Sequence, residues 1–279
     1  MSKRNSQEAK TAARERLRQE RERQAKRDKV KRQVIVACAI VGVLAIAGGI
    51  GYAVVQANKP GHWEAVKSDK VVAPANTTGT DGTTVVIGKN TAKKTLKVYE
   101  DPRCPICAQF EETVGATVKK DLDDGKFKIQ YIGGTFIDGD QLGKGTVGTR
   151  GEGSKNAMSA MGAALNVSPE AFLEYKSALY SKQWHPDETD DKFKSDDYLI
   201  KVADTVPALK NNTAFRNAVK NGTYDAWALA MSKTFDTNKD RVTGTPSFVM
   251  NGKMLTTPAG NPPMTVNEFN SLVDPALKA

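Results

Sequence analysis

Two of the chain's three cysteines form the run Cys104-Pro105-Ile106-Cys107. Thiols at that spacing can ligate a metal, close a small structural disulfide, or exchange a disulfide with another molecule. Zinc needs four ligands, and the only histidines are His62 and His185, both in polar stretches away from the pair, so no metal is expected. No cofactor is expected either. A structural disulfide closing so short a loop constrains little of the unfolded chain. A redox-active pair remains. An ordinary thiol with pKa about 8.5 is about 3% thiolate at pH 7, and lowering that pKa by two units takes about 2.7 kcal/mol. A helix N-terminus supplies about 0.3 to 1 kcal/mol, up to about 2 when partly buried. Free backbone N–H groups in the first turn can add about 1.5 to 3 kcal/mol each. Pro105 suits a first helical position, where its missing N–H costs nothing. Cys104 is therefore expected as the exposed nucleophile, and Cys107, one turn further in, as the resolving thiol.

That chemistry requires a helix starting at the pair and a strand leading into it. Val85 to Ile87, Thr95 to Tyr99 and Phe127 to Ile132 read as strands. Between the last two, Ile106, Phe110, Val114, Val118 and Leu122 recur every four residues, and Asp123, Asp124 and Gly125 end the helix. This is a βαβ unit with parallel pairing. Residues 133–153 hold eight glycines and read as a mobile loop. About 80 residues of helical period follow. Their marks are Met158, Met161 and Leu165, then Phe172, Tyr175 and Leu179 after Ser168-Pro169, and Leu199 and Val202 after Ser195. Phe215 and Val219 mark a fourth helix, and a fifth begins at Thr223 with Trp227, Met231 and Phe235. A hairpin, Ser247 to Met250 and Lys253 to Thr256 about Asn251-Gly252, precedes a helix from Thr265 with Val266, Phe269, Leu272 and Val273. Pro246, just before the hairpin, reads from the residues alone as the first position of a strand.

With these elements in place the sequence resembles the DsbA-like thiol-disulfide oxidoreductases of the thioredoxin superfamily, over roughly residues 83–279. Asp101-Pro102-Arg103-Cys104-Pro105-Ile106-Cys107 is similar to the family's D-x-x-C-P-x-C, and Val242-Thr243-Gly244-Thr245-Pro246-Ser247-Phe248 to its G-T-P-x-F. The resemblance implies an α/β thioredoxin fold with a helical insertion at about residues 154–238. It also implies a cis Pro246 facing the cysteines and a Thr245 backbone offered to an extended substrate, with Asp101, Pro105 and Ile106 supporting the site. Two departures stand out. Many relatives bury an acid six residues before the first cysteine, where this chain has Val98; Glu100 and Asp101 lie nearer but need not point inward. The strongest oxidants of the family have histidine where this chain has Ile106.

Charge completes the layout. Residues 1–32 hold 13 Lys and Arg against 5 acids, a net +8 of the chain's +9, so the remaining 247 residues carry +1. After this arm, Val34 to Val55 is 22 residues without a charged side chain, and it includes Cys38. As a helix it would span about 33 Å, enough for a hydrocarbon core of about 30 Å. A cleaved signal peptide is the alternative, although signal cores run about 7 to 15 residues. The basic flank places the arm in the cytoplasm and the rest outside. The arm has no aromatic residue to stack on bases, so anionic lipid, not nucleic acid, is its expected neighbour. The expected plan is a basic cytoplasmic arm (1–33), a single transmembrane helix (34–55), an extracytoplasmic tether (56–82) and the redox domain (83–279). The resemblance implies a thiol-disulfide oxidoreductase that introduces disulfides into exported cysteine-containing proteins by exchange through Cys104 and Cys107, with a membrane redox partner of DsbB or vitamin K epoxide reductase type. Two rivals stay open: a reductase or isomerase of the same fold, and a non-enzymatic binding module.

Overall fold

The computed structural model describes residues 10–34, 61–139 and 151–279. The chain divides into two units, Met1–Gly61 and His62–Ala279. In the first, residues 10–34 are an exposed helix. Among the described residues no helix is long and apolar enough to cross a membrane. The apolar run Val34–Val55, apart from Val34, lies outside them, as do residues 140–150 of the glycine-rich loop.

The second unit is built on a five-stranded sheet in the order β1-β3-β2-β4-β5, comprising β1 (Val85–Ile87), β2 (Thr95–Glu100), β3 (Lys128–Gly133), β4 (Ser247–Met250) and β5 (Lys253–Met254). Strands β2 and β3 run parallel and every other neighbouring pair is antiparallel. Helix α1 (His62–Val66) precedes the sheet, and α2 (Pro105–Asp123) makes the crossover from β2 to β3. Phe110, Val114 and Leu122 of α2 are buried as its four-residue period requires, with Val118 packed at the margin. Ile106 departs from that stripe. It is 44% exposed, beside an exposed Pro105, so the first turn of α2 stands at the surface. Phe110 meets Phe248 of β4 with ring centroids 4.4 Å apart, and Phe269 of the C-terminal helix completes the cluster. Burying each such ring contributes about 1.5 to 3 kcal/mol.

Among the described residues five α-helices separate β3 from β4: α3 (Gly153–Val167), α4 (Pro169–Tyr180), α5 (Asp196–Ala203), α6 (Thr213–Lys220) and α7 (Asp225–Asp236). Ser168, Ser195 and Asn212 cap α4, α5 and α6 by accepting first-turn N–H groups. The fifth helix starts at Asp225 rather than Thr223, because Thr223 and Tyr224 form the turn that leads into it. The hairpin turn places Asn251 and Gly252 at φ 52° and 72°, and its second strand ends at Met254 instead of Thr256. Thr265 closes a capping box with Glu268 at the start of α8 (Val266–Lys278).

The segment 62–82, read above as part of a tether, packs on the insertion. Trp63 and Val66 are buried, Asn76 donates to the Leu165 carbonyl at 3.0 Å, and the Trp227 indole donates to the Gly82 carbonyl at 2.9 Å. The sequence allows one short ordered stretch around His62 to Val66, and there Trp63 and Val66, three residues apart, line one side of a short helix.

Candidate active site

Strand β2 delivers the chain to a turn, Asp101 to Cys104, closed by the Cys104 N–H donating to the Asp101 carbonyl at 2.9 Å. Cys104 is the N-cap of α2, with Pro105 in the first turn. Its Sγ accepts the N–H of Cys107 at 3.3 Å, so a free helix-terminal donor is aimed at the sulfur as the charge argument requires. Both cysteines are unpaired thiols. From the other side comes the loop before β4, where the Thr245–Pro246 peptide is cis and the Cys104 thiol donates to the Thr245 carbonyl at 3.5 Å. The structure thus brings together Cys104, Pro105, Ile106, Cys107, Thr245 and Pro246, with Asp101 beneath them. One expectation is corrected: Cys104 is only 5% exposed, because the Thr245 loop and the apolar cluster of Tyr99, Phe136, Ile137, Tyr180 and Phe235 close around the pair. Cys107 is fully buried.

The two thiols are driven apart in acidity. The Cys107 thiol pointing at Cys104 is the largest cause that holds the Cys104 thiol below its ordinary range; burial opposes it, and the Thr245 side chain and the Cys107 N–H reinforce it. Cys107 is pushed well above the ordinary range, first by burial and then by its neighbour Cys104. Of the two sulfurs, the one nearer the surface is therefore the better able to carry negative charge.

Two carboxyls near the pair were left open by the sequence. Both point inward and are wholly buried. Burial lifts Glu100 to about pH 7 against the pull of Lys176, whose Nζ lies 3.2 Å from Glu100 Oε2 and 2.6 Å from Glu111 Oε2. Glu100 is close enough for its charge to raise Cys107 further. Burial likewise lifts Asp101 to about 7, although Ser154 Oγ (2.6 Å), the Arg103 N–H (2.9 Å) and the Ile137 N–H (3.1 Å) all donate to its carboxylate. The Tyr180 hydroxyl donates to the Asp101 carbonyl at 3.0 Å. Position 98 is filled by a buried valine, so the acid beside Cys107 comes from two residues further along β2. Strand alternation carried the signal for Glu100. Leu96, Val98 and Glu100 share one face, and the first two are core residues. For Arg103, Asp138, Ser154 and Lys176, which the structure adds to the neighbourhood, sequence spacing holds no signal, because these contacts join positions 35 to 85 residues apart.

A vicinal dithiol with one stabilised and one suppressed thiolate, on a thioredoxin-like sheet, defines the class of thiol-disulfide oxidoreductases. The thioredoxin family model matches residues 80–275, and the chain belongs to that family. Over 172 residues the chain is 26% identical to disulfide bond formation protein D of Bacillus subtilis, covering 61% of this chain and 68% of that one. Among solved structures, MdbA, a thiol-disulfide oxidoreductase from Actinomyces oris, superposes with a TM-score of 0.56 at 20% identity, covering 74% of this chain and 91% of that one. Reduced DsbG from Mycobacterium tuberculosis does so with a TM-score of 0.52 at 23% identity, covering 71% and 94%. These superpositions establish the fold, including the helical insertion.

Proposed function

We propose that the chain is a membrane-anchored, extracytoplasmic oxidase that introduces disulfides into exported proteins. The observation that carries the direction is the seat of Cys104 Sγ at the start of α2, where it accepts the Cys107 N–H at 3.3 Å, an arrangement that favours the thiolate. Whatever favours a thiolate favours the reduced dithiol, and a dithiol that prefers to be reduced is an oxidant toward its substrates. In the oxidised enzyme a substrate thiolate attacks Cys104 Sγ, the Cys104–Cys107 bond breaks, and Cys107 leaves as a thiolate. Its high proton affinity and the protonated fraction of Glu100 near pH 7 favour immediate protonation. The substrate's second thiolate then attacks the substrate sulfur of the mixed disulfide, forming the substrate disulfide and releasing Cys104 as a thiolate. Two electrons have passed from substrate to enzyme. The Thr245 carbonyl beside Cys104 is placed to receive a backbone N–H of an extended substrate.

The apolar run Val34–Val55 behind a strongly basic arm supports the anchor and the threading of the chain. Reoxidation of the reduced pair falls to a membrane partner of the DsbB or vitamin K epoxide reductase type, beside which an anchor would hold the domain. The test is the cellular redox state of Cys104 and Cys107, fixed by acid and read with a mass-adding alkylator. An oxidase is found oxidised at steady state, and a predominantly reduced pair identifies a reductase or isomerase instead. The variant Cys107→Ser is expected to accumulate mixed disulfides through Cys104 with both clients and electron partner, and its failure to capture any protein would favour a non-enzymatic module.

A further inference from the structure

The N-terminus of α3 presents four N–H groups, and two carboxylates take all of them. Asp191 accepts from Glu152 and Gly153, each at 3.0 Å, and Asp138 accepts from Ser154 at 3.0 Å and Lys155 at 2.9 Å. The guanidinium of Arg103, 1% exposed, lies between the same two acids. Its Nη1 is 2.8 Å from Asp138 Oδ1 and 3.2 Å from Asp191 Oδ1, and its Nη2 donates to the Glu188 carbonyl at 2.6 Å. Arg103 immediately precedes Cys104, and its own N–H is bonded to Asp101, whose carbonyl holds the Cys104 N–H. Glycines make room for this arrangement. A Cβ at Gly151 would stand 2.7 Å from Arg103 Nη1, and one at Gly153 3.1 Å from Arg103 Cδ.

Stability alone is a poor reason for such a cluster. Replacing a buried ion pair by well-packed apolar side chains is often neutral or stabilising, whereas a planar fork fixed by three acceptors specifies a position. We propose that Arg103 is a positioning residue for the nucleophile: clamped by Asp138 and Asp191 at the N-terminus of α3, it holds the Asp101–Cys104 turn so that Cys104 Sγ stays in reach of the Cys107 N–H and Thr245. The proposal rests on the reading of Cys104 as the attacking thiol.

The test uses the reduced full-length protein and follows iodoacetamide alkylation of Cys104 against pH, quantified on the Cys104 peptide by mass spectrometry. Arg103→Lys keeps the charge and loses the fork. Its alkylation midpoint is expected to rise by about half a unit or more, which makes the reaction about threefold slower at pH 6, while cooperative unfolding is retained. Asp191→Asn leaves Asp138 and Glu188 in place and is expected to shift the midpoint less, in the same direction. A variant Arg103→Lys that unfolds more easily but alkylates as wild type would overturn the proposal, since the cluster would then serve only the fold. If Arg103→Lys does not fold, Asp191→Asn decides by the same midpoint, and a wild-type value there also overturns it. Disulfide transfer by the wild-type protein to a reduced peptide is scored separately. Its failure would remove the oxidase reading while leaving the alkylation result intact.

Discussion

The substitution Glu100→Gln keeps the shape of a wholly buried side chain and removes its proton equilibrium. Lys176 is not orphaned by the change, because Glu111 remains 2.6 Å away. In the folded protein burial lifts the Glu100 carboxyl from 4.5 to about 7. At about 1.36 kcal/mol per unit this shift corresponds to about 3 kcal/mol, the cost of ionising the group inside the protein instead of in the unfolded chain. The sign follows from which state binds the proton. Below about pH 4.5 both states are protonated and the term contributes nothing adverse. Between about 4.5 and 7 the unfolded chain ionises while the folded protein does not, so stability falls as pH rises, and above 7 the loss is complete. The variant lacks this loss. Urea unfolding followed by tryptophan fluorescence, with fully buried Trp227 as reporter, measures both proteins from pH 4 to 8. Relative to wild type, Glu100→Gln is expected to gain about 3 kcal/mol across that range, and the alkylation midpoint of Cys107 is expected to fall. Stability curves that run parallel through the whole range would refute the assignment of this titration to Glu100.

Two further substitutions probe the site and its support. Ile106→His places a titratable cation in the exposed first turn of α2, and about 1 kcal/mol of extra thiolate stabilisation would raise the reduction potential by about 20 mV, read by equilibration with glutathione. An unchanged or lower potential would contradict the view that Cys104 is limited by its local charge. Gly162→Ala tests how the insertion packs. The new Cβ would lie 2.8 Å from the Trp227 ring, which is fully buried and tied to the Gly82 carbonyl, so a loss of about 1 to 3 kcal/mol is expected in thermal or urea unfolding.

The elements around the dithiol were legible because each is fixed by local rules. Strand alternation defines Thr95 onward, the four-residue period defines α2, and Ser168, Ser195 and Thr265 announce their helices through short side chains that bond the next turn. The placement of Cys104 at a helix start followed from Pro105 and from the four-residue period that opens at Ile106. What was not legible is the electrostatics under the site. Strand alternation turns Glu100 inward, but the counter-charges and donors that hold Glu100 and Asp101 there arrive from Lys176, Ser154 and Ile137, and nothing in the spacing of those residues pairs them with β2. The slight exposure of Cys104 was missed for the same reason, since the covering side chains Phe136, Tyr180 and Phe235 come from three separate segments.

Arg103 and its neighbours at the end of β2 have a practical consequence for anyone dissecting this molecule. Glu100, Asp101 and Arg103 are all buried at one strand end, and their counter-charges and donors, Lys176, Ser154, Asp138 and Asp191, all lie in or before the helical insertion. A minimal thioredoxin obtained by joining β3 directly to β4 would strip most of the compensation from three ionisable side chains at the base of the dithiol, and water would enter to solvate them. Transplanting the Cys104–Cys107 tetrapeptide into another scaffold would likewise move the sulfurs and leave their acidity behind. The smallest exchangeable part of this enzyme is the sheet and the insertion together.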